Sequence, residues 1–182
     1  MKLPLAYYGN PILRKKCARV EAITDELRQL VRDMEETMMS YDGVGLAAPQ
    51  VHKNLALFMI NMSIKDEATK EYEADKTLTQ NIVFINPKIL HYSEEGWLRG
   101  EGCLSIPKIY GVVGRPLHIK VEAMDIEGNI FTKEFSGLAA RAIMHENDHI
   151  NGVLFIDRIR GKEREEMEPA LRALKKKYSS KQ

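Results

Sequence analysis

Apolar positions along the chain fall into a few clear periods separated by turn signals. Leu27, Leu30, Val31, Met34 and Met38 recur at helical spacing after Thr24, a good capping residue, and Asp25 and Glu26 suit the positive end of a helix dipole. This predicts a helix over about 24–40, stopped by Ser40-Tyr41-Asp42-Gly43. The following GVGLAAPQ (43–50), with two glycines and a proline, reads as a structured loop. Leu55 to Ile60 reads as a buried strand, the charged stretch 63–80 as an exposed insertion, and Val83, Phe84 and Ile85 as a strand ended by Asn86-Pro87. Ile119, Val121 and Ala123 alternate with Lys120, Glu122 and Met124, and Glu127-Gly128-Asn129 offers a turn into Ile130 to Phe135, so an antiparallel hairpin is expected. Ser136 is placed to cap a helix over about 137–150, which Asn151-Gly152 stops. Beyond Gly161 the chain is charged and helix-prone, with Pro169 either opening its last helix or kinking it. Strands alternating with isolated helices, without repeats or linkers, predict an α+β fold.

Length and charge narrow the function classes. A chain of 182 residues suits one domain spanning 1–182. Lys and Arg total 27 against 26 Asp and Glu, a net charge of +1 that gives no strong field toward DNA or a membrane surface. The N-terminus lacks the apolar run of about 7 to 15 residues of a signal peptide, and no stretch approaches the roughly 18 apolar residues of a membrane span. A soluble cytoplasmic protein is therefore expected. Two cysteines, Cys17 and Cys103, are too few for a disulfide framework. If Cys103 binds metal, Cys17 is a free thiol, expected to be buried.

Candidate chemistry concentrates in three segments. His145 and His149 are four residues apart, so on a helix they lie one turn apart on one face and can both aim a ring nitrogen at one ion. Glu146 beside them can reach a metal-bound water. The bland alternative is two helix histidines in ordinary hydrogen bonds. A catalytic site usually adds a third protein ligand and keeps one position open. Downstream, Glu163, Glu165, Glu166 and Glu168 are nominal candidates on a charged segment; upstream stands Cys103 in EGCLSIP, framed by Gly100 and Pro107 in a loop suited to close backbone approach. A thiolate is the better ligand for a borderline metal, although an isolated cysteine is more often small core packing. Gln50 reads either as a surface amide or, with neighbouring backbone N–H groups in its glycine-rich loop, as a stabiliser of an oxyanion.

Taken together, Gly43-Val44-Gly45-Leu46-Ala47-Ala48-Pro49-Gln50, Glu101-Gly102-Cys103-Leu104-Ser105 and His145-Glu146-Asn147-Asp148-His149 resemble, in this order, the three linked motifs of the peptide deformylase family. The resemblance reaches from Gly9-Asn10-Pro11-Ile12-Leu13-Arg14 to Asn151-Gly152-Val153-Leu154-Phe155. It implies antiparallel sheets packed around a helix that carries HENDH, with an N-terminal and a C-terminal helix, and removal of the formyl group from formyl-methionine of nascent polypeptides, in bacterial cytoplasm or an organelle of bacterial descent. By motif it assigns Cys103, His145 and His149 to one divalent ion, natively Fe(2+), with Ni(2+), Co(2+) or Zn(2+) as substitutes. Glu146 would move protons, and Gln50 with the Leu104 backbone N–H, near Gly45, would polarise the formyl oxygen. Val44, Gly45, Glu101, Gly102 and Leu138 would contact substrate. The metal would lower the pKa of its water toward about 7, with Glu146 taking the proton and later returning it to the departing amine.

One departure from the family pattern is Met144, where Gln is common; it lies outside the ligand set. From Arg172 onward the tail holds five basic residues and no acidic ones. These are either a solvated, dipole-favoured helix end or, as the resemblance to some deformylases implies, a dock on ribosomal RNA. Two rival readings are a protease with a downstream Glu as third ligand, and a binding protein that keeps the fold without the reaction.

Overall fold

The structure, a computed structural model, describes residues 1–62 and 81–179; the expected insertion at 63–80 lies outside the described residues. The first helix forms as α1 (Asp25–Ser40), with the Thr24 hydroxyl accepting the Leu27 amide at 3.2 Å. The loop reading of 43–50 is corrected in part. Gly45–Ala47 is a short strand, β1, paired antiparallel with β2 (Leu57–Ile60), and Ala48–Val51 is a 3-10 turn.

β3 (Ile82–Tyr92) continues through Asn86-Pro87. Asn86 sits at φ 51 where the register shifts between Ile85 and Lys88, and its side-chain amide exchanges bonds of 2.8 and 2.9 Å with the Val20 backbone. This bulge absorbs the proline and lets the strand resume. EGCLSIP is the tip of a hairpin rather than a free loop: β4 (Gly96–Cys103) ends on Cys103, and β5 (Ile106–Pro116) begins three residues later.

The expected hairpin is β6 (His118–Met124) and β7 (Ile130–Ser136), leading into α2 (Gly137–Ile150). Ser136 holds the cap position of α2 but makes no side-chain cap bond; the Gly137 amide instead donates to Leu117 O at 2.9 Å. The last helix, α3 (Gly161–Ser179), contains Pro169 inside it, so the proline does not open the helix.

All strand pairs are antiparallel: a five-stranded sheet in the order β1-β2-β3-β6-β7, and the separate β4-β5 pair. The period of two along β2 divides the core. Phe58 and Ile60 join Phe84, Val121, Phe135 and Ile143 between the sheet and α2, whereas Leu57 and Met59 join Leu27, Val31, Met34 and Met38 of α1. A third cluster, with Leu13, Ile106, Val113, Phe155 and Leu171, joins the N-terminal segment, β5 and α3. The helix carrying HENDH is thereby held among antiparallel sheets, an α+β architecture.

Candidate active site

α2 buries His145, Glu146 and His149 together. Cys103 reaches them from the end of β4, and ligand atoms of Cys103, His145 and His149 all lie within 4.8 Å of one another. Its Sγ is 3.2 Å from His149 Nε2. His145 Nδ1 is 2.9 Å from Glu101 Oε1; since a carboxylate only accepts, Nδ1 carries the proton and Nε2 is left to face an ion. Burial and the neighbouring His145 hold His149 well below the usual imidazole range, so it is neutral, as a ligand must be. Burial opposes charge on His145 too, but Cys103 and Glu101 outweigh it and raise its pKa; an ion among these atoms would displace that proton. One thiolate and two imidazoles fit a single borderline divalent ion with a position open for water. Of the downstream acids, Glu166 lies 3.7 Å from Lys162. Glu163 accepts the Val112 amide at 2.9 Å, and Glu168 pairs with Arg164 at 2.7 Å.

Glu146 lies against Gly45. A Cβ at position 45 would stand 2.6 Å from Glu146 Oε1, so β1 can pass this close only because the residue is glycine. The other oxygen, Oε2, is buried without a hydrogen-bond partner among the described residues. Burial pushes the carboxyl up to about 7, with the His145 charge working against the shift. The Gln50 amide has a fixed direction: Oε1 accepts the Ala47 amide at 2.8 Å, which turns Nε2 toward Cys103 Sγ at 3.5 Å and Ser105 Oγ at 3.3 Å. Glu146, Gln50, Cys103 and His145 open onto a cavity of about 610 Å³ whose walls include Val44, Gly45, Gly102, Leu104, Leu138 and Tyr178.

Glu101, expected from the family pattern to touch substrate, borders this cavity but has its carboxylate engaged inward. Arg115 donates to both oxygens at 2.7 Å, Arg141 donates at 2.8 Å, and His145 takes the remaining direction. Burial disfavours its charge, yet the Arg115 and His145 contacts hold its carboxyl down at about 2. Arg115 continues to Asp148 of HENDH at 3.0 Å, which Arg158 clasps with two bonds of 2.6 Å. Sequence reasoning missed these arginines. The signal it could have used is a charge at apolar register: Arg115 follows Ile109, Gly111 and Val113 on the buried face of β5.

The N-terminal segment staples the two upstream motifs together. Ala6 N donates to Gln50 O at 2.8 Å and Tyr8 N to Ser105 O at 2.9 Å. At the cavity rim Tyr7 stacks on Tyr178 of α3, with centroids 3.9 Å apart.

The chain is similar in sequence and fold to known proteins. A peptide deformylase of Acinetobacter baumannii is 44% identical over 156 residues, covering 85% of this chain and 81% of that protein. The chloroplastic/mitochondrial peptide deformylase 1B of Arabidopsis thaliana is 40% identical over 98% of this chain, which spans 62% of that longer protein. A solved plant peptide deformylase 1B superposes with a TM-score of 0.87 at 39% identity, covering 98% of this chain and 92% of that one. The family model described as polypeptide deformylase matches residues 2–165, a stretch that contains all three motifs and every residue of the cluster around the cavity except those of the last helix; the chain belongs to the polypeptide deformylase family.

Proposed function

We propose that Glu146 is the general base and Cys103, His145 and His149 the metal ligands of this chain, whose reaction as a peptide deformylase is hydrolytic removal of the N-formyl group from the N-terminal formyl-methionine of nascent polypeptides, with release of formate. The observation that carries the assignment is the convergence of the three ligand atoms within 4.8 Å, beside a buried carboxylate with one oxygen unpartnered among the described residues.

When bound, the metal supplies Lewis acidity and an acidified water. The chain's own groups do the rest. Glu146, its carboxyl raised to about 7, takes a proton from the attacking water and hands it to the amine nitrogen as the C–N bond breaks. Gln50 Nε2, held in direction by Ala47, and the Leu104 backbone N–H donate to the formyl oxygen as it gains charge. Glu101 fixes the ring and tautomer of His145 through Nδ1, a positioning role that replaces substrate contact by its carboxylate. Val44, Gly45, Gly102 and Leu138 form walls along which the methionine side chain and the following backbone lie.

Ferrous iron is the native ion in this reading, with nickel, cobalt or zinc as substitutes, supported by a thiolate–imidazole set that suits borderline ions. A ferrous centre with a thiolate ligand is oxygen-sensitive. Residues 1–182 act as one catalytic domain. The bacterial cytoplasm or an organelle is the place of action, since the relatives include both bacterial and chloroplastic/mitochondrial proteins. Ribosome contact through the basic end of α3 is a further part of the reading. The test is metal analysis and formate release from formyl-Met-Ala-Ser on anaerobically purified protein, repeated for Cys103→Ser. Iron near one per chain, formate release, and loss of both in the variant support the assignment. Full metal content and activity in Cys103→Ser would instead favour the protease-like ligand set.

A further inference from the structure

The cavity exceeds what a formyl group and one methionine side chain require. At about 610 Å³ it falls in the range of roughly 300–1,000 Å³ that takes drug-sized ligands. Part of the surplus is walled by the far end of the chain: Tyr178, in the last turn of α3, lines the same space as Glu146 and Gln50. Its ring lies on Tyr7, with centroids 3.9 Å apart and planes 13° apart. Tyr7 is not on a loose arm, because the amides on either side of it are anchored to Gln50 and Ser105 at 2.8 and 2.9 Å. A third tyrosine, Tyr41, borders the same mouth with the Lys2 ammonium 3.6 Å over its ring. Stacked phenols offer a flat apolar face and a polar edge, and so can hold apolar side chains and peptide N–H or C=O groups at one place.

We infer that the Tyr7–Tyr178 pair is a subsite for the peptide beyond the formylated methionine, so that the C-terminal helix sets how tightly longer chains are held. The inference rests on the deformylase reading of the site. A purely structural Tyr178 would act through Tyr7 on the anchored backbone of Gln50 and Ser105, and its loss would then weaken every substrate alike. A subsite gives a loss that depends on peptide length.

The experiment compares formate release from formyl-Met amide and from formyl-Met-Ala-Ser by the metal-loaded full chain and by Tyr178→Ala and Tyr178→Phe. The alanine variant should raise KM for the tripeptide roughly two- to tenfold more than KM for the amide, the range expected from losing one aromatic contact, while the phenylalanine variant keeps most of the discrimination. Equal losses on both substrates, or no loss on either, would overturn the subsite. Absence of formate release by the unmodified protein on both substrates would refute the underlying reading instead. Should Tyr178→Ala not fold, Tyr178→Leu, which keeps apolar reach without the ring, carries the same comparison.

Discussion

Glu146 packs one oxygen against the backbone of β1 and leaves the other buried and, among the described residues, unpartnered, so its carboxyl is costly to ionise and available for proton transfer. Replacing it with Gln removes the base and leaves the three ligands in place. Glu146→Gln should therefore retain metal and lose about 10²- to 10⁴-fold in turnover. Metal content and formate release on the same sample check this, and near-normal turnover in a loaded variant refutes it. Cys17 makes the opposite case, a reactive group made inert by its surroundings. It is half-buried beside the sheet–α2 core, and burial pushes its thiol from 9.0 up to about 11. Only the thiolate attacks, so the raised pKa leaves less reactive form at any pH below it. At pH 8, iodoacetamide should modify Cys17 at about one-hundredth the rate of an unstructured thiol. The rate should go on rising with pH to about 11, followed by mass spectrometry of the Cys17 peptide; a plateau near 9 would contradict the shift.

Elements with a clean period were legible in the sequence. The apolar stripe of α1 and the alternation of β6 against Lys120 and Glu122 gave their positions to within a residue or two, and the spacing of His145 and His149 placed three site groups on one buried helix face. The β4–β5 hairpin was not legible, because the buried register positions of β5 include Gly111 and Arg115, and β4 buries one residue, Glu101, whose charge hides its place inside. β3 ran past Asn86-Pro87 because the Asn86 side chain satisfies backbone groups of Val20, a long-range contact that no local pattern announces. The stop of α2, in contrast, was legible in Asn151-Gly152, although the structure adds a long-range reason for the glycine. Gly152 sits at φ +73, and a Cβ there would lie 2.6 Å from Arg14 O, a backbone atom that cannot turn aside. This contact joins the segment after HENDH to the Pro11–Arg14 turn, where Cys17 N also reaches Ile150 O at 2.8 Å. Gly152→Ala should cost about 1 to 3 kcal/mol, the usual scale for a residue forced into left-handed backbone. A urea titration should show a lower midpoint with an unchanged slope. An unaltered midpoint would mean that the turn relaxes without strain.

The whole molecule ties both ends of the chain to its centre. The N-terminal segment bridges the Gln50 and Ser105 backbones, and α3 packs Leu171 and Leu174 into the third core cluster before bringing Tyr178 to the cavity. No helix among the described residues is long and apolar enough to cross a membrane. By its burial, with Met167 and Leu171 inside and most other positions exposed, α3 has an inner and an outer side. Its inner side constrains how ribosome docking can be tested, because removing residues 172–182 would strip Leu174 and Tyr178 as well as the cations and would disturb core and cavity together. Neutralising outward charges separates the effects. Arg172 is exposed and pairs with Glu168 at 3.3 Å, and Lys176 is exposed in the last turns of α3, where its charge also favours the negative end of the helix dipole. In Arg172→Gln/Lys176→Gln the apolar face is intact, so formate release from formyl-Met-Ala-Ser should match that of the unmodified protein. If the basic end docks on ribosomal RNA, the contacts are with phosphates, and each lost cation should flatten the salt dependence of log K by roughly 0.7 to 0.9. Co-sedimentation with ribosomes across a salt series reads that slope. A flatter slope with weaker low-salt binding supports docking, whereas an unchanged series would make the cations of α3 a solvated helix end and nothing more.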